Sequence, residues 1–308
     1  MAHDFDVIVA GAGIAGLTAA LTSARLGRKI MVLSGGPLGG QLLSIETVDG
    51  FPGFPDGIPG YDLCPIVQEQ AQAAGAEFSQ TAINGLERVG EGWKVATSEG
   101  AMTARAVIIA TGASLKHLGV PGEGEFAGKG VSHCATCDGP FFKNKVVVVA
   151  GGGDSAMQEA LTLTQFAAKT IIVNRAPELT GQAVYRRAVA DNATIEVRNG
   201  ATVQGILGAD SVAAVRVATG GEVTDIKVDG VFVYIGLRPD ADFLGATLAL
   251  DANGGIPTDA AMRTILEGVC AAGTVRVGAA GRAAASAGDG SLAAISIDHY
   301  LTGGTWPA

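Results

Sequence analysis

The stretch DVIVAGAGIAG, residues 6–16, decides how the chain is read. An apolar strand over 6–10 runs straight into Gly11, Gly13 and Gly16, followed by a helix-like run over 17–26 and a second strand at 29–33. This is a βαβ unit whose glycines have separate tasks: one makes the tight turn, one lets backbone approach a pyrophosphate, and one lets helix pack closely on strand. The helix N-terminus supplies the positive end for phosphate charge. The strand-turn-helix setting favours a dinucleotide site over an ordinary glycine-rich turn. One part is missing, because Ser34 stands at the end of the second strand in place of the acid that usually takes the ribose hydroxyls, and its contact is weaker.

The pattern restarts in mid-chain. A strand over 145–150 (KVVVVA) leads into Gly151-Gly152-Gly153-Asp154-Ser155-Ala156, then a helix over 156–166 and a strand over 170–173, with Ala156 in the place of the third glycine. Two such units predict either two dinucleotide sites or one site plus a duplicated fold that has lost its ligand. Elsewhere, the Gly/Pro-rich segment 35–60 predicts a long loop, and loops of that length are usually functional or disordered. A helix over 62–74 comes next. Strands follow over 81–88 and 93–98, and a buried one over 106–110 ends in Thr111-Gly112. Residues 195–234 read as short strands, and a strand at 268–272, a Gly/Ala loop and a helix over 291–301 close the chain.

Composition agrees with an α/β enzyme. Of 308 residues 46 are Gly, about twice the average share, yet no G-X-Y period runs through them and charged residues are only 17%. Collagen and disorder are excluded. A formal net charge of −9, from 21 basic and 30 acidic residues, argues against nucleic acid and against a polybasic membrane anchor. The uncharged stretch 7–24 is long enough to span a bilayer, but Asp4 and Asp6 precede it where a signal peptide would be basic, and its glycine spacing already has an explanation. A cytoplasmic protein is expected.

Four cysteines are too few and too unevenly placed for a disulfide scaffold. Two of them, Cys134 and Cys137, form a C-x-x-C pair followed by Asp138. Such a pair closes a small disulfide ring and attacks other disulfides as a thiolate; the competing reading, half a zinc site, needs two more ligands. Cys64, Cys270 and the four histidines supply no second C-x-x-C and no H-x-x-x-H, so redox chemistry is expected and no metal site. Asp138 is placed to give a proton to a leaving thiolate. Cys64 and Cys270, in apolar surroundings, read as core residues.

CATCDG at 134–139 lies between the two units, with Gly39-Gly40-Gln41-Leu42 early and Cys270-Ala271-Ala272-Gly273 late. Together they resemble the low-molecular-weight thioredoxin reductase family over essentially the whole chain. The resemblance implies two Rossmann-like domains, the second inserted into the first: an FAD domain from 1–116 and 246–308, and a pyridine-nucleotide domain at 117–245 carrying the C-x-x-C. It implies FAD on Gly11, Gly13, Ile14, Ala15, Gly16, Ser34, Gly40, Gln41, Leu42, Ala110, Thr111, Gly112, Gly273, Thr274, Arg282 and Ala283. A nucleotide would lie on Gly151, Gly153, Asp154, Ser155 and Arg175. By the same resemblance Cys137 faces the flavin, Cys134 attacks the substrate disulfide and Asp138 is the acid/base. The partner is then a thioredoxin-like protein or a small-molecule disulfide or dithiol, and the chain a homodimer.

The sequence departs from the family at three places. The basic H-R-R-x-x-x-R run that takes the 2′-phosphate of NADPH is replaced by Asn174-Arg175-Ala176-Pro177-Glu178-Leu179-Thr180, which keeps one Arg and adds an acid. A dianionic phosphate wants several guanidinium contacts, so a donor other than standard NADPH is expected: NADH, ferredoxin or another reduced protein. Arg186 and Arg187, further on, either compensate or form a solvated helix face. Thr274 replaces the family's ribityl-binding Asp, and Gly281-Arg282-Ala283 replaces its Arg-Gln-Ala. Two other readings stay open: a flavin-dependent dithiol oxidase that passes electrons to oxygen, and a non-enzymatic redox sensor.

Overall fold

Neighbouring residues of a strand face opposite sides of a sheet, so a run that is apolar at every position must be buried on both faces. The runs 7–10, 30–33 and 147–150 have this character, and each is an interior strand with a parallel neighbour on both sides and every residue buried. The computed structural model describes residues 3–306. It divides into two units: one joins the chain up to Ser114 with the return from Arg238, and the other is Leu115–Leu237.

The first unit begins with β1 (Phe5–Ala10), α1 (Ile14–Arg25), β2 (Ile30–Leu33), α2 (Gly60–Ala73) and β3 (Glu77–Ser79). A meander of β4 (Ile83–Val89), β5 (Gly92–Thr97) and β6 (Gly100–Ile109) follows. Strand order is β3-β2-β1-β6-β5-β4. β6 is longer than the expected 106–110 because it serves two kinds of partner: residues 100–104 run antiparallel to β5, while 104–109 run parallel to β1. Side-chain alternation then makes two cores. Val7, Val9, Val32 and Ile108 pack under α1 and α2, whereas Ile8, Leu33, Val107 and Ile109 pack against Leu86, Trp93 and Leu244.

β7 (Ala113–Leu115) carries the chain out of this unit. The second unit contains β8 (Val131–Ser132), α3 (Ala135–Asp138), β9 (Val146–Ala150), α4 (Asp154–Leu163), β10 (Lys169–Asn174), α5 (Ala183–Ala190) and β11 (Ile195–Asn199). Then come β12 (Ala201–Gly208), β13 (Val212–Thr219), β14 (Glu222–Lys227) and β15 (Gly230–Val233). The parallel sheet has the order β11-β10-β9-β15-β8, and β12-β13-β14 form a separate antiparallel sheet. Val147, Val149 and Ile172 face α4 and α5; Val148, Ile171 and Val173 face Val215 and Val217 of the antiparallel sheet.

The chain returns through β16 (Leu237–Pro239), which pairs with β7, and completes the first unit with β17 (Val269–Ala271) and α6 (Ala283–Leu301). The second crossing lies at Leu237/Arg238, eight residues before the expected boundary at 245, because Ala241 and Leu244 belong to the core of the first unit. Helix α6 also starts eight residues earlier than the expected 291. Its Ala, Gly and Ser residues, read from sequence as a loop, are there for close packing: a β-carbon on Gly290 would lie 2.0 Å from the Ala15 carbonyl oxygen of α1.

Candidate active site

In the first unit, glycine is required where backbone meets backbone. Gly11 has φ +111°, and a β-carbon there would lie 2.2 Å from the Ala110 carbonyl oxygen; one on Gly16 would lie 1.9 Å from the Gly11 carbonyl oxygen. Gly13, the residue before α1, has no side-chain cap, no acid follows in the first turn, and a β-carbon there would meet nothing within 4 Å. The turn therefore opens outward at the positive end of a helix, which suits the pyrophosphate of a dinucleotide.

The other expected flavin residues of this unit gather at the same end of its sheet. Gly39 N donates to the Ala12 carbonyl at 2.8 Å, and a β-carbon on Gly40 would lie 3.4 Å from Gly13 Cα. Gln41 Nε2 donates to the Ala113 carbonyl at 2.8 Å, and Thr111 Oγ1 donates to the Asp240 carbonyl at 2.7 Å. Gly273 packs on Ala15, and the Thr274 hydroxyl lies beside Gly112. Ile14, Ala15 and Ala110 are buried, so any contact from them to a ligand is through backbone. Leu42 and Ala283 pack against the core beneath α1, and Arg282 is the residue before α6. Ser34 is buried and its hydroxyl donates to the Gly36 carbonyl, so it is already engaged in its own turn. These features fit FAD, whose flavin relays electron pairs to a disulfide when bound.

Within the second unit, Cys134 and Cys137 are joined as a disulfide with Cα atoms 5.3 Å apart. Cys134 is half-buried and Cys137 exposed. The Cys137 N–H donates to Cys134 Sγ at 3.1 Å, an arrangement that stabilises negative charge on that sulfur once the pair is reduced. Ser132 fixes the approach to the pair: its Oγ accepts from Cys134 N at 3.0 Å. Beneath the short α3 lies a buried acid and phenol that the sequence did not single out. The Glu159 carboxylate accepts from Ala135 N and from the Tyr234 hydroxyl, both at 3.2 Å. Burial, then the Glu159 charge, pushes the Tyr234 hydroxyl far above its usual range, and the Asp138 carboxylate adds to this. Cys64 and Cys270 are buried free thiols; burial pushes Cys64 up to about 11 and raises Cys270 as well, so neither is a reactive thiolate.

The second glycine turn repeats the first. Gly151 has φ +136° and a β-carbon there would lie 2.2 Å from the Tyr234 carbonyl oxygen, while Gly153 opens to empty space before α4. Asp154, expected at a nucleotide, instead accepts from Gln182 N at 2.5 Å, and Thr180 N donates to the Gly152 carbonyl at 2.9 Å. The β10–α5 loop is organised by the buried Asn174. Its Nδ2 donates to the carbonyls of Ala176 (3.2 Å) and Glu178 (2.8 Å) and to Asn199 Oδ1 (2.9 Å), and its Oδ1 accepts from Ala176 N. Arg175 is exposed at this loop, and Ser155 is an exposed residue of the first turn of α4. Arg186 and Arg187 lie on the exposed side of α5; Arg186 and Glu178 line one depression.

A further residue went unnoticed in the sequence. Asp289 of α6 accepts from Gly273 N at 3.1 Å and from Arg276 Nε and Nη2 at 3.0 and 2.8 Å, which places a carboxylate beside the turn where Thr274 replaces the family's Asp. Only the fold could show this, since the two residues are fifteen apart and the intervening segment has no regular spacing.

The family model for pyridine nucleotide-disulphide oxidoreductase matches residues 5–290. The chain is 40% identical to thioredoxin reductase of Bacillus subtilis over 304 residues, covering 96% of this chain and 95% of that one. It is 37% identical to thioredoxin reductase of Treponema pallidum over 303 residues, covering 98% of each. The crystal structure of Lactococcus lactis thioredoxin reductase matches with a TM-score of 0.95 at 34% identity, over 97% of this chain and 99% of that one. With the glycine turns, the sheet order and the paired cysteines in agreement, the chain belongs to the pyridine nucleotide-disulphide oxidoreductases, in the low-molecular-weight thioredoxin reductase family, and is an FAD-dependent disulfide oxidoreductase.

Proposed function

We propose that this enzyme reduces a thioredoxin-like protein disulfide with electrons from a donor other than standard NADPH, NADH being the first candidate. The FAD domain comprises the N- and C-terminal parts of the chain, and the inserted domain takes the nucleotide. FAD is held by Gly11, Gly13, Gly16, Gly40, Gln41, the Thr111-Gly112 turn and Gly273-Thr274; the donor's pyrophosphate is held by Gly151 and Gly153. The names of the relatives favour thioredoxin as acceptor. The enzyme works in the cytoplasm and, as the family resemblance implies, as a homodimer. Among the described residues no helix is long and apolar enough to cross a membrane.

The Cys134 thiolate attacks one sulfur of the substrate disulfide, releasing the other as a thiolate that takes its proton from Asp138. Cys137 then attacks Cys134 Sγ, freeing the second substrate thiol and restoring the intramolecular disulfide. Two electrons leave the pair for each disulfide reduced, and two from the donor return it to the dithiol.

The donor assignment rests on the Asn174 turn. The turn is closed by four hydrogen bonds to the Asn174 side chain, and among residues 174–180 it offers a 2′-phosphate one guanidinium, Arg175, together with the repelling carboxylate of Glu178. In anaerobic stopped-flow, half-maximal flavin reduction is expected at a roughly tenfold or more lower concentration of NADH than of NADPH, and Glu178→Arg is expected to narrow that gap by about tenfold. Equal or tighter use of NADPH by the unaltered enzyme overturns the assignment. If neither nucleotide reduces the flavin, the donor is a reduced protein of the ferredoxin kind.

A further inference from the structure

The segment entering the cysteine pair carries a second cluster, one without any sequence signature. His117, Glu123 and His133 each bring one potential ligand atom within 4.8 Å of the others, although six and ten residues separate them along the chain. Glu123 is the anchor. Its carboxylate is buried and held in place by the backbone N–H groups of Leu118 (2.9 Å, to Oε1) and Gly119 (2.7 Å, to Oε2). His117 Nδ1 lies 3.5 Å from Glu123 Oε1, and the two imidazoles meet edge to face with centroids 5.5 Å apart.

The hydrogen bond of His133 fixes the chemistry of its ring. Nδ1 is 3.2 Å from the Val233 carbonyl oxygen, which can only accept, so Nδ1 carries the hydrogen and the neutral ring keeps its lone pair on Nε2. A metal-binding histidine is oriented in this way, with its second ring nitrogen donating to a carbonyl or carboxylate. Glu123 is oriented likewise by two backbone donors. His117 is exposed, giving an ion access from solvent and its ring freedom to turn. Ligand atoms around a tetrahedral Zn²⁺ stand about 3.3 Å apart, given Zn–N of about 2.05 Å. The three ligand atoms lie within 4.8 Å of one another and His117 Nδ1 is already 3.5 Å from Glu123 Oε1, so a shift on the order of an ångström brings the set to that spacing.

We propose that His117, Glu123 and His133 form a binding site for a divalent transition ion of the zinc class, with the cysteine pair outside the ligand set and a fourth position open to water. Two imidazoles and one carboxylate are a borderline donor set, suited to Zn²⁺, Co²⁺ or Ni²⁺ and poorly suited to Mg²⁺ or Ca²⁺. His133 is covalently next to Cys134, so a bound ion would clamp the chain just before the reactive pair to the turn at 117–123. Neither the donor assignment nor the identity of the acceptor bears on this site.

The test is calorimetric titration of the untagged, flavin-loaded, oxidised protein with Zn²⁺ in a non-chelating buffer, repeated with the Cys134→Ser/Cys137→Ser variant. One ion per chain is expected in both, with affinity unaffected by millimolar Mg²⁺. His117→Ala and His133→Ala are each expected to weaken binding by about tenfold or more, and Glu123→Gln should do the same while its amide oxygen still accepts from one of the two N–H groups, of Leu118 or of Gly119. Unchanged flavin absorbance and far-UV circular dichroism in His117→Ala, whose side chain is exposed, exclude unfolding as the cause. Binding that survives in the His117→Ala/His133→Ala variant, binding lost with the cysteines, displacement by Mg²⁺, or no saturable binding overturns the proposal.

Discussion

The two glycine turns are built to one plan and differ in what surrounds them. In each, a parallel strand is followed by a positive-φ glycine, the next turn residue has its carbonyl capped by a returning loop, and a helix starts two residues after that. Gly39 N returns to Ala12 in the first unit, and Thr180 N returns to Gly152 in the second. The returning loop is the difference. In the first unit it brings Gly39 and Gly40 against Gly13, leaving backbone available to a ligand. In the second it is wound around the Asn174 amide and ties Asp154 to Gln182. The shared glycines provide a place for phosphate, and the loops decide which nucleotide is welcome there.

The sharpest break between the units is chemical, because the reactive pair belongs to the second alone. Cys134→Ser is expected to lower disulfide reduction by roughly a thousandfold or more, since no other thiol can replace the attacking group. Flavin content and flavin reduction by the electron donor should persist. Steady-state turnover combined with flavin absorbance checks this, and disulfide reduction near the normal rate would remove Cys134 from the reaction.

The third turn position tests whether the two cradles are equally tight. Ala156 is accommodated in the second, whereas a β-carbon on Gly16 in the first would lie 1.9 Å from the Gly11 carbonyl oxygen. Gly16→Ala, which copies the second turn into the first, is therefore expected to displace backbone and cost about 1–3 kcal/mol, with loss of most bound flavin on purification. The reciprocal Ala156→Gly removes one methyl near the helix start and should cost about 1 kcal/mol or less. Absorbance ratios and thermal melts measure both. Equal effects of the two substitutions would mean that the cradles are equivalent after all.

The same contrast explains what the sequence could reveal. Both βαβ units were legible because strand, glycine turn and helix are local signals with distinct periods, and the C-x-x-C was legible because its chemistry depends on spacing alone. The early start of α6 was hidden: Ala, Gly and Ser from 283 onward give weak periodicity, and their reason, contact with α1, lies far away in sequence. The boundary near Leu237 was hidden for the same reason, because Ala241 and Leu244 reveal their allegiance only through the core they enter. Asn174 read merely as a missing basic residue, yet its side chain shapes the whole loop. Asp289 and the His117–Glu123–His133 group depend on tertiary proximity, for which no residue spacing stands in.

The smallest expected difference lies at the outer strand of the second sheet. Glu196 on β11 accepts from Lys169 Nζ of the neighbouring β10 at 2.5 Å and from Arg198 Nε at 2.6 Å. These two cations, Lys169 first, hold its carboxyl below the usual range despite an opposing contribution from burial. A carboxyl whose value is lower in the folded than in the unfolded chain adds stability that is fully present above the unfolded value, about 4.3, and is lost as pH falls through the folded one. Glu196→Gln should therefore lower the melting temperature by a constant small amount from pH 8 down to about 5, and the gap should close below about pH 4. Because a third of the side chain is exposed, solvent screening limits the contribution to about 0.5 kcal/mol, or about 1 °C in a chain of this size. Added salt should reduce it further. A gap that widened in acid would mean that the carboxylate is strained where it sits and that the sheet edge is held by its backbone ladder alone.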